Sequence, residues 1–429
     1  MATNQTRRKF LMSTAGVGTV AIAGCTDAEE EEEPAEEEEI EEDEEEVEQT
    51  YEVWAADQGL NVIHIYEPAG GGEFEEIDTI DTNADDIGGE VPHMIDFSSD
   101  YEYAAVACTA GGRVLVYRTE DRELVGNIET GAGSHFASFS PDDDYLTVDI
   151  IGENRIAKVE IDWEDESFEE TDEEIVIAED TELGEDNDPI CHQFDGNGRS
   201  IHTLGPSYHD AGVVVVDHED FSVAQEFSDE ELPANCGTVP HPTEDKFYLT
   251  AGLPTPTDDD GEPIDGEEGV GDYYVLDTSG DEIEVIDDGS TEGIDAHGFW
   301  FTPDAEELWV LNRETNDGII LDPETDEQID EIDAYGPETA EDTDDRDAPD
   351  IMWASPDGEY MFVTLRGPNP QSGDPHAATG VNPGFAVFDI ESRERVDTII
   401  PSEDDDESDF HGIGVRPIGE HDGFTSPHY

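Results

Sequence analysis

The sequence predicts an all-β fold, a seven-bladed β-propeller of four-stranded blades, and three observations predict it. Short alternating strands dominate from Tyr51 onward, as in Asn61-Val-Ile-His-Ile-Tyr66 and Gly212-Val-Val-Val-Val-Asp217, and no long stretch carries helical periodicity. One hairpin phrase recurs: an apolar strand, a Ser/Thr-Pro-Asp turn and a second apolar strand. It is clearest in Gly298-Phe-Trp-Phe301, Thr302-Pro-Asp-Ala305 and Leu308-Trp-Val-Leu311. The recurrences stand about 40–60 residues apart, the length of a propeller blade.

The hairpins are anchored by the residue just before each turn. The anchors are Phe97, Phe139, Phe194, a degraded Pro240, Phe301, Ala354 and Val415. Proline presets φ in the turn and Asp bonds its own backbone, so the phrase is a turn with a mechanism. After most anchors a third strand ends in Asp, at Asp217, Asp277, Asp322 and Asp389, and a fourth follows, as in Glu123 to Ile128 and Arg395 to Ile399. The last anchor has little chain after it, and the strands from Tyr51 to Ile80 have no anchor before them. Six blades therefore lie within 91–402, and one closing blade is shared by the N- and C-terminal strands. That closure removes free sheet edges. Two connections exceed what blades need. Leu253 to Asp272 is rich in Asp, Gly and Pro, and either is a solvated insertion or offers oxygen ligands to Ca²⁺. Gly367 to Pro383 carries His376.

The propeller is expected over 51–417, with a signal segment at 1–25, an acidic disordered tether at 26–50 and a tail at 418–429. Net charge is −101, from 117 acidic and 16 basic residues, and the only lysines are Lys9, Lys158 and Lys246. Such self-repulsion strains a fold in dilute salt but is screened at about 1 M, where the Debye length is about 3 Å. The composition resembles that of haloarchaeal and other salt-in proteins. Nucleic acid is excluded as a partner, because phosphate contacts need a basic patch. Thr6-Arg7-Arg8-Lys9-Phe10-Leu11 resembles a twin-arginine export motif, and Ile22-Ala23-Gly24-Cys25 resembles a lipobox. These resemblances imply export by the twin-arginine route, a lipid on Cys25 and a place on the extracytoplasmic face of the membrane. The alternative is an ordinary cleaved signal with an incidental Cys.

Four residues before each anchor stand His93, His135, Ile190, Cys236, His297, Asp350 and His411, with Cys191 and His192 available as substitutes for Ile190. The first residues of innermost strands converge at one mouth of a propeller channel. His93, His135, His192, Cys236, His297, Asp350 and His411 are thus candidate hub ligands, a donor set suited to copper or zinc. The competing reading is a ring whose imidazoles pack against the next blade or bond its carbonyls. Cys108 is expected to be a small buried residue. Cys191 and Cys236 either form a disulfide or ligate a metal jointly. Gly-x-Ser-x-Gly, a Gly-rich phosphate loop and His-Glu-x-x-His are all absent, as is Cys-x-x-Cys-His for a covalent haem.

The hairpins and third strands resemble the YVTN-type propeller superfamily over about residues 51–417. That group includes lactonase-like propellers and the propeller domains of nitrous oxide reductase and haem nitrite reductase. In nitrous oxide reductase a His set at the hub holds a copper cluster, and the resemblance implies that role for His93, His135, His297, His411 and His192. Cys236 and Asp350 depart from that pattern. The leading reading is a lipid-anchored extracytoplasmic binding protein whose channel mouth takes a metal ion, a small ligand or a protein partner. The alternatives are a copper-dependent oxidoreductase and a lactonase-like hydrolase using hub His and Asp, so the sequence leaves open whether the protein is an enzyme.

Overall fold

Seven sheets, each of four antiparallel strands, surround one channel. The computed structural model describes residues 50–84, 87–184, 187–205, 211–258, 261–340, 343–402 and 406–419. The twin-arginine motif, Cys25, the acidic tether up to residue 49 and the tail from residue 420 lie outside the described residues.

Blade 1 runs outward from the channel through Pro92–Phe97, Tyr103–Cys108, Arg113–Arg118 and Leu124–Glu129. The innermost strands of blades 2 to 6 are Ser134–Phe139, Asp188–Phe194, Thr238–Pro240, Ala296–Phe301 and Pro349–Ala354. Blade 7 is the expected shared blade. Phe410–Ile418 is its innermost strand and pairs antiparallel with Thr50–Asp57, which continues outward to Val62–Gly70 and Glu73–Asp81. The only α-helices among the described residues are single turns, Ile177–Asp180 and Pro375–Ala378.

The recurring turn forms for a local reason. The hydroxyls of Ser98, Thr302 and Ser355 donate to Asp100, Asp304 and Asp357, two residues on. Each Asp also accepts a backbone N–H two residues further along, from Glu102, Glu306 and Glu359. Anchors Phe97, Phe139 and Phe301 are buried, and Trp309 is fully so. Trp54 meets Phe97 edge-on at 5.7 Å, and Trp300 stacks on Trp353 at 4.3 Å. These rings fill the space between neighbouring blades, where deleting one would cost about 3–5 kcal/mol. Cys108 ends the second strand of blade 1 with no exposed surface.

One irregularity repeats around the channel. In blade 1 Pro92 pairs with Cys108 and Met94 with Ala107, so His93 is an extra residue. The same slip leaves out His135 in blade 2 and Ile190 in blade 3. It falls between Ala296 and Phe299 in blade 5, between Pro349 and Met352 in blade 6, and beside His411-Gly412 in blade 7. These are β-bulges, which re-aim a side chain out of the strand's alternation. In blade 4 the inner strand is only three residues long, and Cys236 precedes it with φ +52°.

Candidate functional site

The bulges bring His93, His135, His297 and His411, and the turn before the blade 4 strand brings Cys236, to one cavity of about 500 Å³ at the channel mouth. Ile190 and Arg313 share its wall, and Gln371 to Pro375 of the long blade 6 connection line it from above. The expected acidic insertion of blade 4 reaches the same side, where Thr255 bonds Glu314 through its N–H and hydroxyl, both at 2.6 Å.

Three of the ring histidines are oriented by one device. His135 donates from Nδ1 to the carbonyl of Ile190 at 2.9 Å. His297 donates from Nδ1 to the carbonyl of Asp350 at 3.2 Å, and His411 from Nδ1 to the carbonyl of His93 at 3.1 Å. In each case the acceptor is the bulge residue of the next blade, and a carbonyl can only accept, which fixes the tautomer. Glycine after the ring residue makes room. A Cβ at Gly298 would sit 2.3 Å from the Asp350 carbonyl oxygen, and one at Gly412 would sit 2.4 Å from that of His93. The His-Gly pairs of the sequence thus let one blade's carbonyl reach the ring of the blade before it.

His93 is oriented differently. Its Nδ1 lies 2.9 Å from Gln58 Oε1, while Gln58 Nε2 donates to Asp409 Oδ2 at 2.7 Å. The carboxylate fixes the amide orientation, so His93 also carries its proton on Nδ1. The Nε2 atoms of His93 and His135 then face each other at 2.9 Å with two lone pairs and no proton between them. Burial, followed by the neighbouring His411 and His135, holds His93 well below the usual histidine range, and burial also lowers His135. Both imidazoles are therefore held in the neutral form more strongly than an exposed histidine. His411 stacks on His93 with centroids 3.6 Å apart.

Asp350 is placed at the hub but is already engaged. Arg366 Nη1 donates to it at 2.6 Å and Arg313 Nη1 at 3.4 Å, and His297 Nδ1 lies 2.9 Å from its Oδ1. It acts as the counter-charge of the ring. Arg366 also bonds both oxygens of Asp409, at 2.8 and 2.9 Å, and Asp409 accepts the N–H of Gln371 at 2.7 Å. Arg366 Nη2 reaches the carbonyl of Ser372 at 2.9 Å, so this network pins the long connection over the mouth.

Cys191 and Cys236 lie side by side, with sulphurs 3.7 Å apart, and Cys191 Sγ is 3.8 Å from His135 Nδ1. Donation from the Cys191 thiol and the nearby His297 hold the Cys236 sulphur well below the usual thiol range, against its burial. The Cys191 thiol is pushed well above it by the same bond and by burial. Burial alone would lower His297, but Cys236 and Asp350 raise it to about 10. Below this ring is an apolar chamber of about 60 Å³ walled by Met94, Phe136, Phe299, Trp300, Trp353 and Asp96, among others.

His192 does not join the ring. It turns into the seam between blades 2 and 3 and donates from Nδ1 to Asp149 at 2.5 Å, while its Nε2 accepts from Ser138 at 2.6 Å. His202 mirrors it, with Nδ1 2.7 Å from the other Asp149 oxygen and Nε2 2.6 Å from Ser200. Ser200 is in turn 2.7 Å from His218 Nε2. Asp149, His192 and His202 are wholly buried, and burial, which would raise the carboxyl of Asp149, is outweighed by the two imidazoles, so it stays below the ordinary range. The sequence reading passed over Asp149, His202, Ser138 and Ser200. The available signal was a charged residue inside two apolar strands, Leu146-Thr-Val-Asp149-Ile150 and Ile201-His202-Thr-Leu204.

Fold and site together define a seven-bladed β-propeller with a histidine- and cysteine-lined hub. No protein-family model matches the chain, and no curated protein matches it. Solved structures do match. Dihydro-heme d1 dehydrogenase NirN in complex with DHE has a TM-score of 0.50 at 13% identity, covering 84% of this chain and 74% of that one. A putative 6-phosphogluconolactonase from Bacteroides uniformis has a TM-score of 0.50 at 14% identity, covering 66% and 82%. The Dos1 propeller has a TM-score of 0.50 at 14% identity, covering 72% and 69%. At these identities the likeness is one of fold.

Proposed function

We propose that the protein is a lipid-anchored, extracytoplasmic binding protein that holds a transition-metal ion of the copper or zinc class at its hub. The observation that supports this most is the pair of facing Nε2 lone pairs of His93 and His135, 2.9 Å apart, each ring fixed by a proton on Nδ1. Metal–imidazole bonds are about 2.0–2.1 Å, so an ion fits between the two after the rings part by a few tenths of an ångström. The carbonyl and amide acceptors behind the rings are the outer partners that metal-bound imidazoles use, and losing one such partner typically costs about 10–100-fold in affinity. His411 and the Cys191 and Cys236 sulphurs stand beside the pair as further donors. Asp350 balances the arginines and is not a ligand in this reading.

The test is a titration of chelator-treated protein, kept in molar salt, with Zn²⁺ and with Cu⁺. One ion per chain is expected, and the double variant His93→Ala/His135→Ala is expected to lose it. No stoichiometric binding, or equal binding by the double variant, overturns the metal reading. The address is tested separately: Cys25→Ser should release the protein from membranes, and unchanged membrane association counts against the anchor.

A further inference from the structure

We propose that the apolar chamber below the ring is a second, softer metal site, which takes one monovalent thiophilic ion of the Cu⁺ class through Met94, Met352, Cys191 and Cys236. It uses none of the imidazoles of the hub reading and stands whether or not that reading holds. Three observations carry it. The first is where the sulphur lies. The described residues include six sulphur-bearing side chains, Met94, Cys108, Cys191, Cys236, Met352 and Met361, and four of them line this one chamber of about 60 Å³. Methionine that only fills gaps would be scattered through the blades. Here the four come from blades 1, 3, 4 and 6 and meet around the channel. The bulges explain the meeting: each sends its ring residue to the mouth, and Met94, Cys191 and Met352 stand just past a bulge, on the wall of the space below. Met94 also packs against the buried cluster that holds both cysteines.

The second observation is spacing. The Cys191 and Cys236 sulphurs are 3.7 Å apart. Two sulphurs bound to one ion at about 2.3 Å and at the tetrahedral angle stand about 3.8 Å apart. An ion therefore fits between them without moving either. The third is the size and chemistry of the space. Its volume is about twice the ~30 Å³ share of one water molecule in the liquid, so it has room for a bare ion and not for a hydrated one. Trp300 and Trp353 share its wall, stacked at 4.3 Å, and indole is the ring that best attracts a cation stripped of water. Soft sulphur selects Cu⁺ over the hard ions Mg²⁺ and Ca²⁺, and the apolar wall penalises a second charge, which disfavours Zn²⁺. Cys236 lines the mouth cavity as well as the chamber, so it stands on the route between ring and sulphurs. The two thioethers are uncharged, so the chamber binds less tightly than the ring and fills after it.

The experiment uses the full chain in molar salt, reduced, free of oxygen and titrated with Cu⁺ past the first equivalent. X-ray absorption at the copper edge reads the donors. The weaker second equivalent is expected to add sulphur neighbours at about 2.3 Å. Met94→Leu/Met352→Leu keeps the shape of the chamber, because Met and Leu exchange at little cost. It should bind that second ion at least about tenfold more weakly and leave the first unchanged. Zn²⁺ should stop at one ion per chain. The wild-type spectrum decides even if the variant fails to fold. A second equivalent with no sulphur neighbours, an unchanged second affinity in the folded variant, or a second Zn²⁺ bound as readily as Cu⁺ overturns the proposal. If the ring binds no ion, the first equivalent itself shows the sulphur neighbours and is the one weakened by Met94→Leu/Met352→Leu. Failure of the hub reading is thereby told apart from failure of this one.

Discussion

Replacing Asp350 by Asn tests the electrostatic frame of the hub. Asp350 is wholly buried and faces Arg366 at 2.6 Å, Arg313 at 3.4 Å and His297 at 2.9 Å. Asparagine keeps the shape and removes the charge that faces two buried guanidinium groups, which also pair with Asp295 and Asp409. Removing one partner of a buried ion pair costs about 3–5 kcal/mol, most of it the penalty of the charge left behind. Unfolding entropy is about 2.1 cal/mol/K per residue near the midpoint, so a folded region of roughly 370 residues gives ~0.8 kcal/mol/K and a fall in Tm of about 4–6 °C. The assay is thermal unfolding of Asp350→Asn and of Glu173→Gln in parallel, at two salt concentrations above about 1 M. Glu173 is 53% exposed and pairs with Lys158 at 2.8 Å on the surface, so its loss should lie within about 0.5 kcal/mol of zero. The Asp350 effect should persist at both salt concentrations, because a buried pair is little screened. A Tm within about 1 °C of wild type for Asp350→Asn would refute this account of the hub.

Other outcomes follow from the same structure. Gly298→Ala places a methyl 2.3 Å from the Asp350 carbonyl oxygen, so it should lower stability by at least about 2 kcal/mol and weaken metal uptake, measured by unfolding and by titration. His202 is lowered to about 4, with burial as the largest cause. Its unfolded value is about 6.5, so the unfolded chain takes the proton first and stability is lost as pH falls from about 6.5 to about 4, by up to about 3 kcal/mol. Asp149, depressed by its two imidazoles, adds to the loss at the acid end, and His202→Gln should flatten the slope between those pH values. Drawing salt below about 1 M should lower the midpoint steeply, given a net charge of −101. A midpoint indifferent to salt contradicts that view of the surface.

Seven blades and their closure were legible because each anchor hairpin is local: Ser or Thr, Pro and Asp write the turn in consecutive residues. Even the degraded Pro240 phrase falls on an inner strand. The ring position was legible for the same reason, since the bulge keeps a constant offset from the anchor. His192 shows where the reasoning stopped. Two residues past the bulge, strand alternation turns its side chain off the channel and into the seam between blades, which the repeat pattern did not reveal. Asp149 and His202 meet it from two other strands in neighbouring blades, and such meetings are set by packing. Asp350 read as a donor because Arg313 and Arg366 were not weighed with it. Both stand just after a second strand, Leu308–Asn312 and Tyr360–Leu365, so a repeat-aware reading of the arginines would have found them.

The shared closing blade turns the hub into a check on chain length. His411 comes from Phe410–Ile418 and Asp409 stands just before that strand, so both follow the other ring residues in the chain. Until that segment docks, Arg366, Gln58 and Gln371 have no Asp409 to accept from them, and the cover over the mouth has no latch. A chain that stops short loses a ring member, its counter-charge network and its cover in one cut. Competence at the hub therefore reports that the strand Phe410–Ile418 has been made and has docked against Thr50–Asp57.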